Sequence, residues 1–355
     1  MYTSIRIENF RAHRDLNVEG LKRINLFVGR NNSGKTSLLE AIFLLGGATN
    51  PSLAMAIGYN RGQRFEPSHP DSDPIWRSFF TGFDPEMKIE IAGKREQEKA
   101  ARRLTISADA GASEEVMPDE SGVLSAGEEF RLRRLRLAYK DALGRGFETS
   151  AALDPRAGRV TTTTTQRDDF VRSTFVSARS HSTLARDTEQ FGYLLRMKRD
   201  QEVLEAIRLV EPAIKRLEVV PEAGASTIYA DVGLAALVPL MVCGEGTVRL
   251  FSIIVQLTAS RGGVLLIDEI DNGLHHSVMH PFWERLGALA RKHDVQIFAT
   301  THNEELIQAA LDAFGEQYTD LGLYRIDRED GSTKAVRYSE PALQAVHEEG
   351  FEVRG

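Results

Sequence analysis

Cysteine is nearly absent from this chain of 355 residues: Cys243 stands alone. One thiol excludes an intramolecular disulfide and any cysteine-rich metal centre, and it fits a reducing cytoplasm, where we expect the protein to reside. Basic charge is not in excess either. Lys and Arg number 44 against 51 Asp and Glu, a net charge of −7. The chain therefore has no global positive field, and any nucleic-acid surface must be a local patch. No apolar run approaches the ~20 residues of a membrane-spanning helix. The opening MYTSIRIENF lacks the basic and apolar regions of a secretory signal, so no membrane partner is expected. No heptad persists over several turns, which excludes a long coiled-coil arm, and no internal repeat is visible. With 42% hydrophobic and 27% charged residues, the remaining profile is that of a globular protein. Its length suits one large or two ordinary domains.

What is present begins with GRNNSGKTS, residues 29–37, directly after the apolar run RINLFV. RINLFV is rich in branched and aromatic residues and reads as a strand. SLLEAIFLLGG follows, with Leu38, Leu39, Ile42, Phe43 and Leu45 at helical spacing and Gly46 and Gly47 to end it. A strand, then G-x-x-x-x-G-K-T, then a helix is the setting of a phosphate-binding P-loop. Gly29 and Gly34 permit backbone geometry that a Cβ would block, so the N–H groups of Asn31, Asn32, Ser33 and their neighbours converge on one anion. The helix start adds partial positive charge. Lys35 reaches the β- and γ-phosphates, Thr36 offers a hydroxyl to Mg²⁺, and Ser37 supports the α-phosphate.

The rest of the chain divides by pattern. Residues 1–48 hold two or three strands and the P-loop helix. Over 49–180 an irregular connection, 49–86, leads into five strand-like runs from MKIEIAG to GRVTTTTTQ, read as an antiparallel layer. The acidic GASEEVMPDESG reads as a loop within it. Residues 181–231 read as a helical segment, with Leu194, Met197, Val203, Ile207 and Val210 on one stripe and Pro212 breaking it. From 232 to 355 strands and helices alternate again, which argues a mainly parallel core sheet, closed by a hairpin of LGLYRIDRED and TKAVRYS.

A P-loop needs a partner for its metal and a residue to position water. VLLIDE supplies both types: Val264 to Ile267 bury the strand, and Asp268 and Glu269 emerge at its carboxyl end, where open α/β sheets bind ligands. Asp268 suits Mg²⁺ and Glu269 suits a general base. In FATTHN, His302 ends the next strand and is placed to sense a γ-phosphate or the attacking water.

With these residues in hand, the chain resembles the ABC-type ATPase heads of the SMC, RecF and OLD group. IRIENFRAH with INLFVGRNNSGKTSLLEAI resembles the start of such heads; LLIDEIDNGLHHSV resembles their Walker B and D-loop; ATTHN resembles their switch-histidine loop. The resemblance covers roughly residues 1–48 and 232–355 and, given the missing coiled coil, is nearest to the standalone AAA15/AAA21-class ATPases. It implies an α/β P-loop NTPase fold of ABC-ATPase head type, with a mainly parallel core sheet, an antiparallel β layer and a helical insertion. It implies ATP and Mg²⁺, and a homodimer or higher homo-oligomer in which a signature loop of the partner completes each site. CGEGTVRL is the candidate loop: Gly246 matches the signature glycine, Gly244 replaces the usual serine, and Thr247 is the candidate to compensate. Asp271 and Asn272 match the D-loop, and His275 and His276 are candidate phosphate or subunit contacts. Several ATPases of this class serve bacterial anti-phage defence beside a separate effector, a Toprim-type nuclease or a toxin. The rivals are a RecF-like DNA-maintenance ATPase and a slow-turnover nucleotide-gated scaffold. Basic clusters at Arg95 to Arg103, Arg131 to Lys140 and Arg196 to Arg199 make nucleic acid a possible partner. Gln63 lies in the stretch where the resemblance places a Q-loop glutamine that senses Mg²⁺, and Arg11 is either a phosphate contact or a strand-end arginine.

Overall fold

The structure, a computed structural model, describes residues 1–61, 76–109, 134–154, 159–163, 171–178, 184–222, 224–315, 319–329 and 331–349. Gln63, the loop GASEEVMPDESG and Arg131 to Arg133 lie outside the described residues.

Three strands, β1 (Tyr2–Phe10), β2 (His13–Glu19) and β3 (Ile24–Val28), precede helix α1 (Lys35–Gly46). The first two turn one face inward, burying Ile5, Ile7, Leu16 and Val18. They join β4 (Ile89–Arg95), β5 (Arg102–Asp109), β6 (Arg134–Lys140), β7 (Gly146–Asp154) and β8 (Arg159–Thr163) in one antiparallel sheet of order β2-β1-β4-β5-β6-β7-β8. This is the expected antiparallel layer, with the two strands before the P-loop added at its edge.

The central sheet has the order β16-β15-β3-β14-β13-β9, built from β9 (Ser173–Val176), β13 (Val264–Ile267), β14 (Gln296–Thr300), β15 (Leu321–Glu329) and β16 (Ser332–Arg337) around β3. All its pairings are parallel except that of β16 with β15. Strands β3, β13 and β14 are buried at every residue because both faces are covered. Leu26, Leu265, Ile267, Ile297 and Leu323 enter one core. Phe27, Leu266, Phe298 and Tyr324 enter the other, shared with α1 and the antiparallel sheet. Lying between two sheets, α1 is buried at every position from Ser37 to Gly46.

Three expectations need correction. The connection after α1 is not wholly irregular, since Ser52–Asn60 forms helix α2 directly after Pro51. The segment 181–231 is only half helical. Helix α3 (Leu184–Arg196) and helix α4 (Asp200–Ile207) are separate, because the chain turns at Lys198 with φ 54°. Met197 therefore leaves the expected stripe and is 54% exposed, whereas Leu194, Val203 and Ile207 are buried. Beyond Pro212, β10 (Arg216–Glu222) and β11 (Ala225–Asp231) pair antiparallel, with short β12 (Val238–Pro239) alongside. Once proline has ended the helix, the two-residue alternation of branched side chains decides the conformation.

The remaining helices, α5 (Glu245–Ala259), α6 (His276–His293) and α7 (Glu304–Phe314), cover the first core. The closing hairpin, β15 with β16, is followed by a further helix, α8 (Glu340–Glu349).

Candidate functional site

β3 ends at Val28, and the loop that follows delivers the backbone into α1. Both of its glycines are demanded locally. Gly29 has φ 141°, and a Cβ there would lie 2.5 Å from the carbonyl oxygen of Ile326 on β15. Gly34, the N-cap of α1, has φ 104°, and a Cβ there would lie 2.7 Å from Cε1 of His13. Asn32 also adopts a left-handed conformation, with φ 64°. Asn31 and Asn32 are exposed; Ser33 is buried, and its Oγ has no hydrogen-bond partner among the described residues. The result is a cradle with free N–H groups at a helix start and an orphaned hydroxyl, which fits an anion. Lys35 folds over it, its Nζ donating to the carbonyls of Gly29 (2.7 Å) and Arg30 (2.9 Å). Burial pushes the Lys35 ammonium below its ordinary pKa, while Asp268, Glu269 and Asp271 pull the other way.

The carboxylates expected after β13 arrive at this loop. Thr36 Oγ1 donates to Asp268 Oδ1 at 3.0 Å and Oδ2 at 3.2 Å, across 232 residues of sequence. Burial raises the pKa of Asp268, and the hydroxyls of Thr300 and Thr36 lower it. One hydroxyl and one carboxylate, both hard oxygen donors, fit Mg²⁺. Glu269 has φ 48°, a left-handed conformation that costs a non-glycine residue about 1–3 kcal/mol unless its surroundings impose it.

The surroundings do impose it. Thr300, at the end of β14, donates to Asp268 Oδ1 (2.7 Å) and accepts the N–H of Glu269 (2.8 Å). From α5, Arg249 donates to the carbonyls of Asp268 (2.5 Å), Glu269 (3.2 Å) and Ser177. Arg249 is fully buried, and burial depresses its pKa while Asp268, Asp271 and Glu269 raise it. Sequence reasoning missed both braces. The available signal for Arg249 was a lone cation in the otherwise apolar run VRLFSIIVQL; for Thr300 and Thr301 it was their place beside His302.

The two D-loop candidates are engaged within their own chain. Asp271 accepts from Thr301 Oγ1 at 2.6 Å, and Asn272 Nδ2 donates to Glu269 Oε2 at 3.0 Å. His302 is exposed, just past β14, and Asn303 rather than His302 caps α7 by accepting the N–H of Leu306 at 3.2 Å.

The signature candidate differs from expectation in two details. Gly246 lies not before the helix but in the first turn of α5, and Gly244 is the N-cap. Thr247 does not replace the missing serine: it is buried, and its hydroxyl donates to the Cys243 carbonyl at 3.1 Å. Gly246 packs back to back with Gly273 of the D-loop segment, and a Cβ there would overlap the Gly273 carbonyl. Gly246→Ala is expected to destabilise the fold by about 1–3 kcal/mol. Denaturant unfolding checks this, and wild-type stability in the variant would remove the packing argument.

The other candidates have partners within the chain. Arg11 lies by the rings of Phe10 and Phe79 and pairs with Glu40 of α1 at 3.1 Å. Burial pushes its pKa down to about 10, against the pull of Glu40. The same carboxylate is held by Arg61 at 2.7 Å. His275 caps α6 and lies 4.0 Å from the ring of His276. In the first two basic clusters Arg103 pairs with Glu90 (3.1 Å), Arg102 with Glu98 (2.5 Å) and Arg136 with Glu148 (2.7 Å); in the third, Arg196 lies over the Tyr193 ring and Arg199 contacts His293. No helix is long and apolar enough to cross a membrane among the described residues.

Comparison with known proteins adds four findings. The family model described as "AAA domain, putative AbiEii toxin, Type IV TA system" matches residues 24–308. The chain is 21% identical over 329 residues to an "ATP/GTP phosphatase" of Helicobacter pylori, covering 87% of each protein. A short stretch of 44 residues, 12% of either chain, is 48% identical to the "DNA replication and repair protein RecF" of Heliobacterium modesticaldum. Among solved structures, an Smc head bound to the C-winged helix domain of ScpA is similar in fold. Its TM-score is 0.53 at 13% identity, covering 97% of this chain and 99% of that one.

Proposed function

Because this chain belongs to the AAA_21 family, we propose that it is an ATPase whose site is formed by the P-loop and the carboxylates after β13. The observation that carries this is the hydrogen-bonded pair of Thr36 and Asp268, which brings a hydroxyl and a carboxylate together at the mouth of an anion cradle. Lys35 and the loop N–H groups bind and neutralise the phosphates. Thr36 and Asp268 would hold Mg²⁺, which would supply charge neutralisation to the phosphates. Glu269 orients and deprotonates the attacking water, its peptide fixed by Thr300 and Arg249. His302 senses the γ-phosphate. The relative named as an ATP/GTP phosphatase supports hydrolysis.

We further read the chain as a homodimeric switch in which Gly246 of one copy meets the nucleotide of the other, so that hydrolysis loosens the pair. Its role on this reading is the ATPase and sensor component of a bacterial defence system with a separate nuclease or toxin effector. The family description, which names a toxin and a Type IV TA system, supports a toxin partner.

The test is calorimetric titration of the full chain with ATP and Mg²⁺, beside Lys35→Ala. Wild type is expected to bind and the variant to lose at least ~100-fold in affinity, the lost charge-assisted contacts being worth about 1.5–3 kcal/mol each. A wild-type protein that ignores ATP would end the proposal.

A further inference from the structure

The closing hairpin touches the P-loop at both of its glycines. Ile326 of β15 presents its carbonyl to Gly29, and Thr333 of β16 reaches Gly34 through the ring of His13. His13 is fully buried and stands at the start of β2, so three distant segments meet at one imidazole. Its Nε2 lies 3.2 Å from the Gly34 carbonyl, and its Nδ1 lies 2.7 Å from Thr333 Oγ1.

The partners fix the proton. A carbonyl oxygen can only accept, so Nε2 carries the hydrogen and donates it to Gly34; Nδ1 then accepts from the Thr333 hydroxyl. Burial pushes the His13 pKa down to about 4, with Arg328 adding to the shift and the Gly34 carbonyl opposing it, so the ring is neutral at physiological pH.

The Gly34 carbonyl also accepts the N–H of Leu38 at 3.0 Å, the bond that opens α1. The peptide joining Gly34 to Lys35 is planar and trans, so its C=O and N–H point in opposite directions. A carbonyl held by His13 on one side therefore aims the Lys35 N–H at the cradle on the other.

We propose that His13 is a positioning residue of the nucleotide site, orienting the Gly34–Lys35 peptide, with Thr333 selecting the tautomer that makes this possible. The inference rests on the nucleotide reading of the P-loop. It makes Gly34 serve two purposes: the loop needs its left-handed φ, and the imidazole occupies the space where a Cβ would stand.

The experiment titrates full-length wild type, His13→Gln, His13→Leu and Thr333→Val with ADP and Mg²⁺, and measures the thermal midpoint of each without nucleotide. Glutamine retains an N–H that can reach the carbonyl, and leucine does not. His13→Leu is expected to weaken ADP binding ~10-fold, as for a hydrogen bond lost from a buried acceptor. His13→Gln should stay within ~3-fold of wild type, and Thr333→Val should fall between them. In ATP hydrolysis the deficit should appear in KM, with kcat changing less than ~2-fold. Equal losses in the leucine and glutamine variants at matched thermal midpoints would assign the ring to packing and overturn the proposal. So would wild-type affinity in both His13→Leu and Thr333→Val. If His13→Leu fails to fold, Thr333→Val decides, since it leaves the ring in place. Failure of wild type itself to bind ADP would instead remove the nucleotide reading on which the proposal rests.

Discussion

Glu269→Gln lowers ATP turnover by about 10²–10⁴-fold, the usual contribution of a positioned general base, while leaving ATP bound. The substitution is nearly isosteric, and an amide oxygen can still accept from Asn272 as Glu269 Oε2 does at 3.0 Å. The backbone N–H of residue 269 keeps its bond to Thr300, and the Thr36–Asp268 pair is untouched. Only the capacity to take a proton from water is lost. Phosphate release under single turnover reads the chemistry, and nucleotide retention with light scattering reads the accumulation of trapped dimers. Turnover at the wild-type rate would remove Glu269 from the role of base.

Arg249→Met has the largest expected effect on the fold, a loss of about 2–5 kcal/mol. Methionine fills much of the volume but leaves the carbonyls of Ser177, Asp268 and Glu269 without the guanidinium that serves all three. Arg249→Lys should fall between, since an ammonium is a point donor and cannot span three acceptors as a planar fork does. Turnover should suffer more than nucleotide binding in the lysine variant, because two of the three carbonyls belong to the Asp268–Glu269 segment and none to the P-loop. Chemical denaturation gives the first quantity, and the comparison of ATP Kd with kcat gives the second. Wild-type stability and kcat in Arg249→Met would show that the three bonds contribute nothing measurable.

These two residues differ in how far the sequence places them. The position of Glu269 just past a strand end is legible because it follows a contiguous pattern, four apolar residues and then two acids, whose strand could be inferred locally. The P-loop is legible for the same reason, as are the five strand-like runs that became β4 to β8. Arg249 is visible as an oddity, but its partners are backbone carbonyls, and a carbonyl carries no residue identity that a motif could match. His13 and Thr333 are 320 residues apart and meet only because β16 packs beside β2. Thr247 misled for the converse reason: a hydroxyl beside a glycine-rich loop has the right type, and only its bond to Cys243 shows that it is engaged. The hairpin of β10 and β11 was lost to a helical pattern extended past Pro212, where one periodicity gives way to the other within a few residues.

The resting posture of Lys35 has a thermodynamic consequence. Its ammonium already grips two carbonyls of the same loop, at 2.7 and 2.9 Å. On the proposed function, a phosphate contact to Lys35 would be made in exchange for one of these bonds. The heat released on ligand uptake should fall short of what the final contacts would suggest when summed. The same internal grip keeps the turn shaped between ligands, so less disorder has to be quenched when the next one arrives.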